Sequence, residues 1–325
     1  MSRQLAGRAP VVLAVDIGGT TMKGAVVCAD GDVSFSEESS TPSAGGPAVT
    51  AALASLLGSL SEHALSRCLL PLAAGIVTPG VVDARSGVVH YASNLGWRDV
   101  PLRLLAEDLL GLPVAIDHDV RAAGLAESLL GAGRGVADFV FVNLGTGISA
   151  AAVSGGALIA GAGQAAGELG HVPTHPGGES CPCGQRGCLE AYASGAAIAR
   201  RYRARGGEAG TTAKAIASAI GTDPVADDVW QEAVTSLGLA LTTTTLLFDP
   251  ALLVIGGGVS QAREALLAPL RVALSSQLAW REPPPVTISH LGDVAGRTGA
   301  AVLAMRVAGE GAAVANWKPE LVPEC

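Results

Sequence analysis

A chain of 325 residues, 49% hydrophobic and 15% charged, can bury a large core, and its length suits two domains. A formal charge of −8 without Lys/Arg runs argues against nucleic acid as the main partner. The opening MSRQLAGRAP is too short and too poor in apolar residues for a secretory leader. No apolar run reaches the roughly 18 residues of a bilayer span without a polar or glycine interruption, so a cytoplasmic protein with no membrane partner is expected.

Residues 11–15 are a β-branched apolar run ending in Asp16, and residues 25–28 resume it after a glycine-rich loop, which predicts a hairpin. A third strand would include Val33 and Phe35. Val49, Leu53, Leu56, Leu57 and Leu60 have helical spacing within 47–66. Strand 72–77, a Pro-Gly turn, helix 102–110, strand 113–117 and helix 120–130 follow, an alternation that makes an α/β domain. Strand 139–144, the turn Gly145-Thr146-Gly147, strand 148–153 and the hairpin turn Gly155-Gly156 then repeat the opening motif, which suggests two related domains each presenting a phosphate loop. Helices dominate 188–247, before strand 251–255, helix 260–278, strand 286–289 and helix 298–307. The expected division is a small α/β domain over 11–118 and a large one over 119–308. The last helix, 298–308, would pack back on the first domain, and 309–325 would be a loose tail.

The first loop runs Asp16-Ile17-Gly18-Gly19-Thr20-Thr21-Met22-Lys23. Gly18 and Gly19 let backbone amides approach phosphate oxygens, Thr20 and Thr21 add hydroxyl donors, Lys23 adds a charge, and Asp16 would hold a magnesium ion through water. A plain glycine hairpin needs none of these flanking groups, and the second copy at Gly145, Thr146 and Gly147 favours the phosphate role. GxxxxGK[ST] and GxGxxG are both absent, so a nucleotide would be gripped between two hairpins. A third turn, Gly256-Gly257-Gly258, lies after a strand and before a helix, where it could pack against adenine or ribose.

Between Glu168 and Glu190 the chain reads ELGHVPTHPGGESCPCGQRGCLE. His171, Cys181, Cys183 and Cys188 supply three thiolates and one imidazole, the four-coordinate set that closes a structural zinc site, with His175 as a rival for the histidine position. The intervening prolines and glycines leave the loop little intrinsic order, so the ion would fix it and, with it, Glu168 and Glu190 as ligands for a polyol. Cys28, Cys68 and Cys325 read as buried or incidental thiols. Asp117-His118-Asp119 ends a strand and opens a helix. One of its carboxylates could position a hydroxyl and accept its proton in phosphoryl transfer, and spacing alone does not choose between them. Asn94, in Asn-Leu-Gly-Trp after a turn and before a helix, can both donate to and accept from vicinal hydroxyls.

Together these motifs resemble the ROK (repressor, open reading frame, kinase) group of bacterial sugar kinases and repressors. The likeness runs from about Val11 to about Val307 through DIGGT, GIVTPGVVD, NLGW, LGTG, ELGH, CPCGQRGCLE and IGGGVS, with the cysteine block the most specific. It implies the two-domain actin-like, hexokinase-type (ribonuclease H-like) fold, with ATP and sugar in the cleft between domains. The implied reaction is transfer of the γ-phosphoryl of ATP to a hexose hydroxyl, most often the 6-hydroxyl, as in glucokinases, with magnesium and structural zinc. The resemblance further implies Asp119 as general base, Asn94, Glu168, His171 and Glu190 as sugar ligands, His171 serving zinc and sugar through its two nitrogens, and a homodimer. Glucokinase-like members usually read Glu-Asn-Asp-Ala-Asn where this chain has Asp117-His118-Asp119-Val120-Arg121, so His118 stands where an Asn is expected to touch a sugar hydroxyl. An amino or modified hexose (kanosamine, N-acetylglucosamine or N-acetylmannosamine) is the alternative substrate, and a non-catalytic sugar-binding regulator the remote one. The DNA-binding members carry an N-terminal helix-turn-helix, whereas only about ten residues precede the first strand here.

Overall fold

The computed structural model describes residues 8–318. In chain order the elements are β1 (Pro10–Ile17), β2 (Thr21–Cys28), β3 (Val33–Ser40), α1 (Pro47–Ser66), β4 (Leu70–Thr78), β5 (Val81–Asp83), β6 (Val88–Ala92), β7 (Trp97–Val100), α2 (Leu102–Leu110), β8 (Val114–His118) and α3 (Asp119–Leu130). There follow β9 (Phe139–Leu144), β10 (Ile148–Ser154), β11 (Ala157–Leu158), α4 (Glu190–Ala193), α5 (Gly195–Ala204), α6 (Ala213–Ser218), α7 (Pro224–Phe248), β12 (Leu252–Gly256), α8 (Glu264–Gln277), β13 (Val286–Ile288) and α9 (Ala295–Val307). Two units result. Among the described residues, the first takes 8–130, 160–165 and 294–318; the second takes 131–159 and 166–293.

The first unit is built on a five-stranded sheet of order β3-β2-β1-β4-β8, antiparallel through the opening hairpin and parallel from β1 to β8. Every second residue of β1 faces one way. Val11, Leu13, Val15 and Ile17 join the buried leucines of α1 in one cluster, while on the other side of the strand Asp16 meets α9. Helices come close to the sheet where glycine removes the side chain. A Cβ on Gly24 would lie 2.9 Å from Leu60 Cδ1, and one on Gly75 would lie 1.9 Å from the carbonyl oxygen of Ala300 in α9. By length and composition α1 could cross a membrane. Its Val49, Leu53, Leu56, Leu57 and Leu60 are instead packed in the core of this unit.

The second unit repeats the plan with order β11-β10-β9-β12-β13, again an antiparallel hairpin continued by parallel strands. Val140, Val142 and Leu144 of β9 pack with Trp230, Leu237 and Leu241 of α7 and Leu266, Leu270 and Leu274 of α8. Helix α7 starts at Pro224, with the Asp223 carboxylate accepting from the amides of Val225 and Ala226, a standard N-terminal cap.

Three expectations change. The segment after Asn94 does not lead directly into a helix: Trp97 opens β7, the last strand of a small antiparallel sheet β5-β6-β7. The helix expected over 260–278 begins at Glu264, because Arg263 sits at φ 50°, which a helix cannot continue, and Gly258–Ala262 forms a 3-10 turn. The supposed tail is ordered as far as it is described: Gly311–Asn316 is a 3-10 turn, Trp317 is 4% exposed, and its indole N–H donates to Ala29 O at 2.9 Å. Residues 319–325, with Cys325, and residues 1–7, on which the reading of the leader rests, lie outside the described residues. Cys28 is half-buried and Cys68 exposed.

Candidate functional site

Parallel β1, β4 and β8 bring their C-terminal ends to one edge of the first sheet, so Asp16, near the end of β1, and Asp119, just past β8, stand in the same electrostatic neighbourhood. Burial pushes the Asp16 carboxyl up, the Asp119 carboxylate pushes it further, and Lys23 and Arg297 only partly offset this, so that it titrates at about 7. Lys23 is Asp16's cross-strand partner in the hairpin. Gly296 in the first turn of α9 is so near that a Cβ there would lie 2.4 Å from Asp16 Oδ2. The carboxylate therefore sits at a helix start, where the dipole favours negative charge. Above the turn, the Gly18 amide donates to Thr21 O at 2.9 Å, the Thr41 hydroxyl donates to Gly18 O at 2.7 Å, and the Asn94 amide group lies over Gly19, 3.1 Å from where a Cβ would be. Thr20 is exposed and Thr21 partly so.

The structure separates the two carboxylates that spacing left equivalent. Asp117 is committed to Arg121, whose Nη2 and Nε lie 2.6 and 2.8 Å from it, and this buried guanidinium also donates to Val82 O and Gln164 O. Asp119, half-buried at the start of α3, accepts from the Val120 amide at 2.7 Å and has His118 Nδ1 3.1 Å away. His118 is 7% exposed, and the same Val120 amide lies 3.2 Å from its Nδ1. That nitrogen is thus engaged with the chain itself and with Asp119.

In the second unit the turn Gly145–Gly147 is closed by the Gly145 amide donating to Gly147 O at 2.9 Å. Glu190, first residue of α4, accepts the Ile148 amide at 2.8 Å through Oε2, and the same oxygen lies 2.6 Å from where a Gly147 Cβ would be. One carboxylate oxygen of Glu190 thereby braces the turn. Beside it opens a cavity of about 760 Å³ lined by Gly145, Thr146, Gly195, Arg200, Lys214 and Gly258, among others, a volume that suits a small-molecule ligand. The three glycines after β12 serve different ends. A Cβ on Gly256 would meet the Phe141 ring at 2.7 Å, and one on Gly257, at φ 80°, would meet Leu144 C at 2.5 Å, whereas Gly258 has open space and borders the cavity.

The metal loop is assembled as the donor set demands. One ligand atom each from His171, Cys181, Cys183 and Cys188 falls within 4.8 Å of all the others. Cys183 and Cys188 Sγ are 3.7 Å apart, too far for a disulfide and right for two thiolates on one tetrahedral ion. Burial, reinforced by hydrogen bonding to Cys183 and Cys181, pushes the Cys188 thiol up to about 12, so three thiolates here call for a bound cation. The set fits zinc. His171 turns Nδ1 to Cys181 Sγ at 3.8 Å and Nε2 to Glu168 Oε2 at 3.8 Å, one ring edge to the cluster and the other to a carboxylate. His175, the rival, instead stacks on Tyr192 at 4.0 Å. The loop also has order of its own, with bridges Pro173–Cys188 and Ser180–Arg186 and the Gly187 amide donating to Glu179 O.

Sequence reading missed Gly296 and Arg297, which complete the surroundings of Asp16, and Arg200 and Lys214 on the cavity wall. The first two announce themselves only as Ala-Gly-Arg-Thr-Gly at a helix start, and the others sit on helices whose charges read as solvated.

The ROK family model matches residues 12–307. The chain belongs to the ROK family. It is 32% identical over 314 residues to the glucokinase of Streptomyces coelicolor, covering 90% of this chain and 97% of that one. To the N-acetylmannosamine kinase of Escherichia fergusonii it is 35% identical over 295 residues, again covering 90% and 97%. Among solved structures it is similar to a ROK family glucokinase from Streptomyces griseus in complex with glucose and AMPPNP, at 33% identity and a TM-score of 0.80, covering 91% of this chain and 99% of that one. The fold is accordingly the α/β, two-domain actin-like, hexokinase-type fold of ROK sugar kinases.

Proposed function

We propose that this ROK protein is an ATP- and magnesium-dependent hexose kinase that transfers the γ-phosphoryl to the sugar 6-hydroxyl, with Asp119 as general base. The observation that carries the reading is the carboxylate pair of the first unit. Asp119, held at the start of α3 by the Val120 amide and next to His118, is placed to accept a hydroxyl proton, while its repulsion and burial raise Asp16 to about 7, a cost that a bound dication would relieve. Magnesium bound at Asp16 would neutralise phosphate charge. Gly18, Gly19, Thr20, Thr21 and Lys23 would orient phosphates in the first unit, and Gly145, Thr146 and Gly147 in the second. Of the third glycine turn, Gly258 would border the nucleoside, with Gly256 and Gly257 setting the turn's path.

Asn94, Glu168, His171 and the free oxygen of Glu190 would hold the hydroxyls, and His118 would act through Asp119. Zinc on His171, Cys181, Cys183 and Cys188 would brace the loop carrying Glu168 and leading to Glu190. Three cysteines that must stay reduced for that role suit the cytoplasm. Self-association as a homodimer is part of the proposal, supported by the exposed Leu239, Leu246 and Leu247 on α7.

Glucose is the first substrate to test. An amino or N-acetylated hexose is the second, because His118 replaces an amide beside the base and one relative is an N-acetylmannosamine kinase. A coupled ATP-consumption assay over glucose, mannose, N-acetylglucosamine, N-acetylmannosamine and kanosamine, comparing kcat/KM and locating the phosphate by NMR, tests both. No turnover on any of them would leave the regulator reading, and equal rates on all would remove His118 as a determinant.

A further inference from the structure

The metal loop and the cavity of the second unit share one side chain. Arg200, on α5, lines the cavity, yet its Nη2 is held from behind by Glu179 Oε2 at 2.7 Å and by Ala191 O at 2.8 Å. Glu179 lies in the metal loop, two residues before Cys181. It is anchored more firmly than a surface glutamate would be. Its amide donates to the Tyr192 hydroxyl at 2.9 Å, and its other oxygen accepts from Arg201 Nε at 2.8 Å. Arg201 is 5% exposed, lies 4.4 Å over the Tyr192 ring, and pairs with Glu232 of α7 at 2.6 Å. Two further cations, Arg203 and Lys214, line the same cavity, in a chain whose net charge is −8.

Given the reading of this cavity as part of the donor nucleotide's site, we infer that Glu179 is a positioning residue for the phosphoryl donor: it fixes the Arg200 guanidinium on the cavity wall, where it meets an anionic or ribosyl part of a nucleotide. A guanidinium held by two acceptors on one edge presents its remaining N–H groups in a fixed direction, so less side-chain entropy is lost when a ligand binds. The metal loop thereby supports the donor site as well as the sugar ligands it carries.

Glu179→Gln, Arg200→Ala and the double variant test this, with zinc content measured in each. Arg200→Ala should raise the KM for ATP about tenfold, as expected for loss of one charge-assisted contact. Glu179→Gln should raise it in the same direction, with full zinc and with sugar KM and kcat within about twofold of wild type, because only the aim of Arg200 is lost. The double variant should be no worse than Arg200→Ala alone, since Glu179 acts through that side chain. If Glu179→Gln does not fold, Arg200→Gln, which keeps a donor but loses the ion pair, takes its place and should fall between wild type and Arg200→Ala. The inference fails if Arg200→Ala raises the ATP KM but Glu179→Gln leaves it unchanged, if the two effects add in full, or if Glu179→Gln loses zinc and raises both KM values together. If neither Arg200→Ala nor Gly258→Val moves the ATP KM, the donor assignment of the cavity itself is wrong.

Discussion

Replacing Asp16 by Asn should stabilise the protein, and increasingly so as the pH rises. In the fold this carboxyl titrates at about 7, against an ordinary 3.8, because it is buried beside Asp119. Between those two values the folded state keeps a proton that the unfolded chain has released, so stability falls as pH rises through the window and is level above it. A shift of about three units at 1.36 kcal/mol each corresponds to about 4 kcal/mol, and residual solvent contact of Asp16 brings the expected figure to about 2–4 kcal/mol. Most of it should develop between about pH 4 and 7. Asn keeps the shape and cannot ionise, so the difference in melting temperature between variant and wild type, measured without divalent ions, should widen steadily over that range. Background pH effects common to both proteins cancel in the difference. Magnesium should raise the melting temperature of wild type more at pH 8 than at pH 5, and that of the variant at neither. Parallel melting curves at every pH would refute the argument, because Asp16 would then be ionised in the fold at no cost.

Asp119→Asn should lower kcat by about 10²–10⁴, the usual worth of a general base, with sugar affinity by calorimetry within a few-fold; retained turnover would move the base elsewhere. Stripping the metal with a chelator, verified by metal analysis, should raise the sugar KM through disorder of the loop that carries His171 and leads to Glu190, without removing the helical signal of α7. An unchanged sugar KM in verified zinc-free protein would show that the loop's own backbone bridges suffice.

The fold was most legible where local chemistry is strong. The hairpins β1–β2 and β9–β10 join β-branched runs through glycine turns, and their repetition announced two related sheets. Strands β5, β6 and β7 are only three to five residues long and are held by pairing with one another, so nothing in their own sequence marks them. The last helix was expected against the first domain, but the contacts that hold it there were beyond local reading. Helix α9 joins the first sheet because Gly75 and Gly299 let its backbone approach β4 and α3, a fit that exists only between segments far apart in sequence. The cysteine spacing pointed at once to a four-donor cluster with His171, and the structure brings those four side chains together while the rival His175 stacks on the Tyr192 ring. In the same way Asp117 and Asp119 are equivalent by spacing, and only the guanidinium of Arg121 sets them apart.

The duplicated hairpins also show where the two sheets have diverged. Asp16-Ile17-Gly18-Gly19 at the end of β1 corresponds to Asn143-Leu144-Gly145-Thr146 at the end of β9. The first copy carries an acid opposite Lys23; the second carries a neutral amide opposite Ser149. Asn143 lies against both neighbouring glycine turns, with Oδ1 2.7 Å from where a Gly257 Cβ would be and Nδ2 3.5 Å from that of Gly145. A carboxylate there would face the backbone of the turn proposed to hold phosphate, with Ser149 rather than a lysine across the strand. Asn143→Asp should therefore raise the KM for ATP about tenfold or more at pH 8, where the new acid is ionised. At pH 5 a raised pKa would leave it largely protonated and the defect should shrink. If the defect were the same at both pH values, shape rather than charge would explain the amide, and the electrostatic division between the two hairpins would not hold.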